Sequence, residues 1–395
     1  MNHSSIWRLF KSFITLKVTQ LLIVYFTPSR FDTSSDLLIP KEQYNSITTE
    51  ILNKLITWDS VYFNDIFIND IKYEHQFVFC PGWLNLIKLI PIGSTYYSKQ
   101  ILSIIISNIC HFTSVITLYF ILNNIFKNSK LSYLSSLMMI FSPAGIFLTT
   151  NYSENLCNLL TLLTLLCYYK SIDFNNITTR SNKRINNTLL YVLSGIICAY
   201  GFTVRANTLL LGILYLFDLY DFLVVDENLY KSLLPIFTGS ILGFTFIGEN
   251  LYHYLLFCPS RGEWCENYFP SLFQFAQDHY WNVGFLKYWT LNNIPNFLLV
   301  TPIIIWNCYS IFIFWRLLPQ YKKLTSLSFI QIIMIFGGVF FWNIQILNRL
   351  TSYSPLIYWT LAINYNKIWF KYVLGYMITW NLVQTSLFAA FLPPA

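Results

Sequence analysis

The sequence predicts an all-α polytopic membrane protein, one integral membrane domain over 1–395 with about eleven transmembrane helices. Three observations predict it. Hydrophobic residues make up 55% of the chain and charged residues 11%, whereas a soluble domain carries about 25% charged. Apolar stretches of about 20 residues recur along the chain, the length that crosses a bilayer. Basic residues gather in short loops on one side, as the positive-inside rule requires. Mean hydropathy is +0.49, and the 12 Trp, 28 Tyr and 35 Phe supply interfacial belts as well as cores. The net charge of +7 comes without any basic run interleaved with aromatics, so no nucleic-acid partner is expected.

The spans fall at about 10–27, 100–123, 132–150, 154–170, 188–204, 208–225, 232–256, 294–315, 325–345, 351–365 and 369–391. The first is read as a retained helix, because Thr27-Pro28-Ser29-Arg30 makes a poor cleavage site. It contains two polar residues, Lys17 and Gln20. With a cytosolic N-terminus, Arg8, Lys11, Lys127, Lys130, Lys170, Arg180, Lys183, Arg184, Lys231, Arg316, Lys322, Lys323, Lys367 and Lys371 all lie in short cytosolic segments. The opposite, lumenal side then holds two large loops, 28–99 and 257–293. The first loop carries apolar stretches at 51–68 and 83–92, read as helices lying in the membrane interface. The Asn/Thr/Ser-rich stretch 171–188 is a cytosolic loop. Asn-rich composition accounts for the sequons at Asn2, Asn151, Asn176 and Asn186. Cys258 and Cys265 have the opportunity to bridge in an oxidising lumen, although spacing does not fix connectivity.

Within the first loop, Leu52, Ile56, Asp59, Phe63 and Ile66 follow helical spacing on one face. A carboxylate in the middle of an apolar stripe is costly unless it is paired or used. Asp59 is therefore the first candidate for chemistry, as a general base beside Trp58. Glu74 and His75 follow within the same loop, either as supporting catalytic groups or as ordinary solvated charges. Arg205 and Arg349 each sit where a span meets the lumen. There an arginine either binds a phosphate at the lipid boundary or snorkels to the headgroups. Asn151 and Glu154 form a short turn between two spans, and Asn207 follows Arg205. In the second loop His279, Trp281, Asn282 and Trp289 line a sugar or headgroup site, or else belong to an aromatic belt.

Some chemistries lack their residues. No Asp-x-Asp occurs, so metal-held nucleotide-sugar chemistry has no ligands of the usual kind. No zinc-spaced His/Cys cluster, Walker loop or Gly-x-Ser-x-Gly elbow is present.

Several blocks, in order over much of the chain, resemble the PIG-V family of GPI mannosyltransferases. They are Trp58-Asp59-Ser60, Tyr73 to Gly82, Asn151-Tyr152-Ser153-Glu154, Arg205-Ala206-Asn207, His279 to Trp289 with Ile294-Pro295-Asn296-Phe297, and Arg349 to Pro355. The chain departs from the family pattern at Ala206 and Thr208 around Asn207, and at Cys80 before Pro81. The resemblance implies a GT-C-type inverting transferase in the endoplasmic reticulum membrane. The donor would be dolichol-phosphate-mannose, and mannose would pass in α-1,6 linkage to the mono-mannosylated GPI precursor glycolipid. It implies no metal or other cofactor, and a small accessory membrane subunit as a possible partner. Another dolichol-phosphate-sugar transferase, or a transporter of a lipid-linked sugar, is the alternative. Transporter sites lie near the bilayer midplane, whereas these candidates cluster in one set of loops.

On this reading Asp59 takes the acceptor proton, with Glu74 and His75 orienting it or the acceptor sugar. Arg205, Arg349 and His279 neutralise the departing phosphate. Trp58, Asn151, Glu154, Asn207, Trp281, Asn282 and Trp289 complete the substrate contacts.

Overall fold

The computed structural model describes residues 3–28, 30–37, 47–173, 184–258, 262–317 and 324–392. Helix α1 runs over His3–Phe26. The first loop then folds into α2 (Ile47–Lys54), α3 (Asp59–Ile68), a 3₁₀ turn at Glu74–Phe79 and α4 (Pro81–Leu89). Pro81 opens α4, where a missing N–H costs nothing. Next come α5 (Tyr96–Phe126), α6 (Ser129–Ile140), α7 (Glu154–Ser171), α8 (Thr188–Val204) and α9 (Gly212–Tyr220). They are followed by α10 (Leu229–Phe257), α11 (Leu272–Trp281), α12 (Ile294–Leu317), α13 (Thr325–Phe340), α14 (Ile346–Leu350), α15 (Pro355–Ile363) and α16 (Ile368–Ala389). A helix falls on every predicted span. Among the described residues, 5 helical stretches are long and apolar enough to cross a membrane by length and composition.

Asparagines mark one end of the bundle. Asn128, Asn187 and Asn228 each accept a backbone N–H as the N-cap of α6, α8 and α10. At that end a two-residue ribbon, β1 (Ile172–Asp173) with β2 (Arg184–Ile185), spans the predicted polar loop. The sequons at Asn2 and Asn176, together with Arg180, Lys183, Lys322 and Lys323, lie outside the described residues.

Two predicted segments fold differently. The stretch 51–68 is not one helix. Trp58 takes φ 53, a left-handed value that ends any helical run, and α3 starts afresh at Asp59. The supposed stripe is thereby divided. Leu52 and Ile56 pack with Val61, Tyr97 and Phe391. Phe63 and Ile66 pack with Val24, Trp83, Phe147 and Tyr152. Most apolar residues of both loop stretches turn into the protein, with Trp83 and Ile87 at 0% exposure, while Leu89 and Ile92 at the end of the second stay exposed.

The span at 132–150 is interrupted. Helix α6 stops before Ser142-Pro143, where proline lacks an N–H and disfavours helix in the preceding residue. Gly145 then takes φ +54, and a 3₁₀ turn covers Gly145–Leu148. An unwound backbone inside a membrane bundle must find other partners. Asn381 Nδ2 donates to the Ser142 carbonyl at 3.0 Å, and Gln384 Oε1 accepts from the Ile146 N–H at 3.2 Å. Lys17 Nζ donates to the Leu148 carbonyl at 2.6 Å, Asn155 Nδ2 to the same oxygen at 2.8 Å, and Asn108 Nδ2 to the Thr149 carbonyl at 2.9 Å. Polar side chains from α1, α5, α7 and α16 thus replace the missing helical bonds.

A methyl group at Gly145 would collide with Gln384 Oε1 and would strain the positive φ. Gly145→Ala is expected to destabilise the protein by about 1–3 kcal/mol. Thermal unfolding in detergent checks this, and an unchanged midpoint would show that the segment relaxes freely.

Candidate active site

Four charged residues from four distant parts of the chain converge at one end of the bundle. Asp59 opens α3 and Glu154 opens α7, so each acid sits at the positive end of a helix. Arg205 caps the C-terminus of α8, and Arg349 lies in the last turn of α14, where cations are favoured. Arg349 Nη2 meets Asp59 Oδ2 at 3.1 Å, and its Nε donates to Glu154 Oε1 at 2.6 Å. Arg349 Nη2 also contacts that Glu154 oxygen. Arg205 Nη1 reaches Glu154 Oε1 at 3.0 Å and Ser153 Oγ at 3.2 Å. The result is a chain of alternating sign: Asp59, Arg349, Glu154, Arg205.

Burial grades along this chain. The Glu154 side chain is 2% exposed, Arg349 16%, Arg205 17% and Asp59 33%. Burial works against the Arg349 charge, but the Glu154 and Asp59 carboxylates outweigh it and hold the guanidinium above its ordinary range. Its planar head also lies over Phe147 at 4.5 Å and Tyr152 at 5.2 Å. The backbone of α14 is fixed in turn: Ser352 Oγ donates to the Arg349 carbonyl at 2.7 Å, and Asn158 Nδ2 donates to Ser352 Oγ at 3.0 Å.

Other predicted site residues brace this cluster. Asn151 is fully buried. Its Oδ1 accepts from Ser60 Oγ at 2.8 Å and its carbonyl from Trp83 Nε1 at 3.0 Å, which ties α3 and α4 to the unwound segment. Asn207 lies beside Cys157, with Nδ2 3.7 Å from Sγ. Trp58 turns away: its ring packs on Phe391 and its Nε1 donates to the Leu392 carbonyl at 3.3 Å.

Glu74 and His75 do not join the charged chain. Among the described residues, no hydrogen bond or ion pair links either to Asp59. His75 instead stands in an aromatic wall, in ring contact with Tyr62, Tyr73 and Tyr280. Desolvation in that wall lowers the His75 pKa and favours a neutral ring. The wall continues from Tyr62 through Phe79 and Phe63 to Tyr152, beneath Arg349. Burial, with the neighbouring Glu249 carboxylate, pushes the Cys80 thiol up to about 12, so it offers no thiolate.

The second loop closes the wall from the far side. Trp281 meets Phe79 edge-on at 6.1 Å. His279 is exposed and stacks on Phe275. Asn282 caps α11 in the left-handed region, with φ 53. Trp289 Nε1 donates to the Val339 carbonyl at 2.8 Å. The Gly284 and Leu286 N–H groups bond to the Phe341 and Phe340 carbonyls, which seats the loop on the end of α13. Cys258 and Cys265 are disulfide-bonded, with Cα atoms 5.8 Å apart.

Sequence reasoning missed Phe147, Tyr152 and Ser153, which contact the arginines directly. Glu249, an isolated acid in the apolar helix α10, was also not singled out; among the described residues its buried Oε1 has no hydrogen-bond partner. That isolation was the available signal. Among the described residues no group of three His, Cys, Asp or Glu is placed to hold a metal ion.

The family model for mannosyltransferase (PIG-V) matches residues 6–395. The chain belongs to this family. The mannosyltransferase is 60% identical to the GPI mannosyltransferase 2 of Candida albicans, over 99% of this chain and 100% of that one. It is 31% identical to the GPI mannosyltransferase 2 of Yarrowia lipolytica, over 97% of each chain. Among solved structures it is similar to the Archaeoglobus fulgidus oligosaccharyltransferase, with a TM-score of 0.46 and 11% identity; the match covers 98% of this chain and 54% of that one.

Two consequences are measurable. Glu154→Gln leaves two half-buried guanidinium groups short of a counter-charge. It is expected to cost the mannosyltransferase about 3–5 kcal/mol, read by thermal or denaturant unfolding; a wild-type midpoint would mean that the pairs contribute nothing net. His75 is held below the unfolded-state pKa of about 6.5, so the unfolded chain binds more protons at mildly acidic pH. Its contribution to stability is present above that pH and is lost as pH falls through it. His75→Gln should flatten this part of the pH–stability curve.

Proposed function

We propose that this protein transfers mannose, in α-1,6 linkage, from dolichol-phosphate-mannose to the mono-mannosylated GPI precursor, and does so in the endoplasmic reticulum membrane. The names of its relatives support the GPI glycolipid as acceptor and a mannosyltransferase as the activity. Guanidinium edges beside an accessible carboxylate suit a donor whose leaving group is a lipid phosphate.

The observation that carries the mechanism is the gradation of exposure along that chain. Glu154 is enclosed and shared by two arginines, so it orders the site. Asp59 is the most exposed carboxylate of the set, with one oxygen held by Arg349. Its Oδ1 accepts no hydrogen bond among the described residues, which leaves it for an acceptor hydroxyl. Asp59 takes the proton of the acceptor 6-hydroxyl as that oxygen attacks the anomeric carbon. The new C–O bond forms as the bond from the anomeric carbon to the phosphate oxygen breaks. The electron pair leaves with dolichyl phosphate, and the configuration inverts. A lipid phosphate is already a good leaving group, so positive charge serves in place of the acid that a glycosidase needs. The exposed edges of Arg205 and Arg349 supply that charge. No metal ion is needed for this sequence of events. The aromatic wall of Tyr62, Phe79, Tyr280 and Trp281 offers apolar surface to sugar faces or polyprenyl chain.

In a microsomal transfer assay Asp59→Asn is expected to lose about 10²–10⁴-fold in turnover while remaining folded. Near-wild-type transfer would remove the base assignment. Arg205→Ala should raise the donor concentration needed more than that of the acceptor. Depletion of the protein should accumulate a GPI precursor carrying one mannose; any other glycolipid would overturn the acceptor and linkage.

A further inference from the structure

Lys17 lies in the body of α1, 7% exposed and surrounded by apolar helices. A buried ammonium in such a place costs several kcal/mol unless its bonds return it. Among the described residues no carboxylate lies within ion-pair distance. Its partners are neutral: Nζ donates to the Leu148 carbonyl at 2.6 Å and to Thr149 Oγ1 at 2.8 Å, and lies 5.1 Å from the Phe13 ring centroid. Thr149 in turn bonds to Gln20, one turn along α1, and Gln20 Nε2 donates to Asn381 Oδ1 at 2.6 Å. Both Lys17 partners belong to the unwound segment between α6 and α7. Phe147, beneath Arg349, is the residue before Leu148. Tyr152, Ser153 and Glu154 begin three residues after Thr149.

We propose that Lys17 is a positioning residue for this site. Its amino group holds Leu148 and Thr149 and keeps the segment where Tyr152, Ser153 and Glu154 meet Arg205 and Arg349. The inference rests on the reading of that charged cluster as the place of mannosyl transfer. Its physical basis is reach. The asparagines around the segment serve its backbone one atom at a time, whereas the long lysine stem reaches from α1 and bonds two adjacent residues of it at once. A displacement of about 1 Å at that point carries into the ion-paired groups, and misplacement on this scale costs up to about 10²-fold in rate.

The test uses the full-length enzyme in detergent, normalised to folded protein. Lys17→Met removes the donors and keeps the stem; Lys17→Arg keeps both the donors and the reach. Lys17→Met is expected to lower kcat at least about tenfold with donor and acceptor KM changed less than about twofold, and Lys17→Arg to restore kcat to within about threefold. Combining Lys17→Met with Arg205→Ala should cost less than the product of the two single losses, because both act through the Ser153–Glu154 contacts. Thr149→Val, which removes one Lys17 partner, should give a smaller kcat loss of the same kind; it carries the test if Lys17→Met does not fold. Wild-type kcat in Lys17→Met, or in Thr149→Val should that variant stand alone, overturns the proposal. So do equal losses in Lys17→Met and Lys17→Arg, or strictly multiplicative losses with Arg205→Ala. An active wild type with unaffected variants counts against Lys17 alone, whereas a wild type unable to transfer mannose overturns the reaction and this role together.

Discussion

Glu154 is the constraint on which the rest of this structure depends. A carboxylate with 2% of its side chain exposed persists at the head of α7 because two guanidinium groups share one of its oxygens. Neither arginine would be tolerated alone at that depth, and neither would the acid. The three therefore fix one another, and the elements that carry them are fixed too: the end of α8 by Arg205, α14 by Arg349, and the start of α7 by Glu154. Asp59 joins at the outer end, 290 residues before Arg349 in the chain, and draws the first loop onto the bundle.

A second constraint follows from the first. To bring Phe147, Tyr152 and Ser153 under the arginines, the chain between α6 and α7 abandons helical geometry inside the bundle. Pro143 and the left-handed Gly145 make the departure local. Asn108, Asn155, Asn381, Gln384 and Lys17 then accept or donate what the helix no longer does. These residues look misplaced in apolar spans until the unwound backbone beside them is seen. Buried polarity here is local compensation for backbone, and its pattern cannot be guessed one helix at a time.

This also explains what was legible in the sequence. Helix positions were legible because bilayer thickness imposes a length on apolar runs: a helix falls on each predicted span, and among the described residues 5 helical stretches are long and apolar enough to cross a membrane. The assignment of Asp59, Glu154, Arg205 and Arg349 to one side of the membrane followed from charge counting alone, and in the structure they touch. Their pairing was not legible, because contacts across hundreds of residues leave no local signature. The stripe through Asp59 was misleading for a specific reason: its spacing assumes uniform α geometry, and Trp58 at φ 53 breaks that uniformity. His75, Asn151, Asn282 and Trp289 were noticed for their chemistry, yet each is occupied in packing, bracing or capping. A conspicuous residue in a loop gives no indication of whether its polar atoms are already engaged.

The alternation of sign along Asp59, Arg349, Glu154 and Arg205 sets how the site meets its surroundings. Two formal positive and two formal negative charges cancel, so the cluster projects little field beyond a few ångströms. Soluble phosphates and nucleotides in the surrounding water are not gathered toward it, as they would be by bare arginines. An anion gains there only at contact distance, where it faces the guanidinium edges and not the carboxylates. A ligand must therefore be concentrated by some other means, and confinement to two dimensions by a hydrocarbon tail is one that costs the protein no charge at all. Electrical neutrality at long range, with polarity kept for close approach, thus filters ligands by how they arrive.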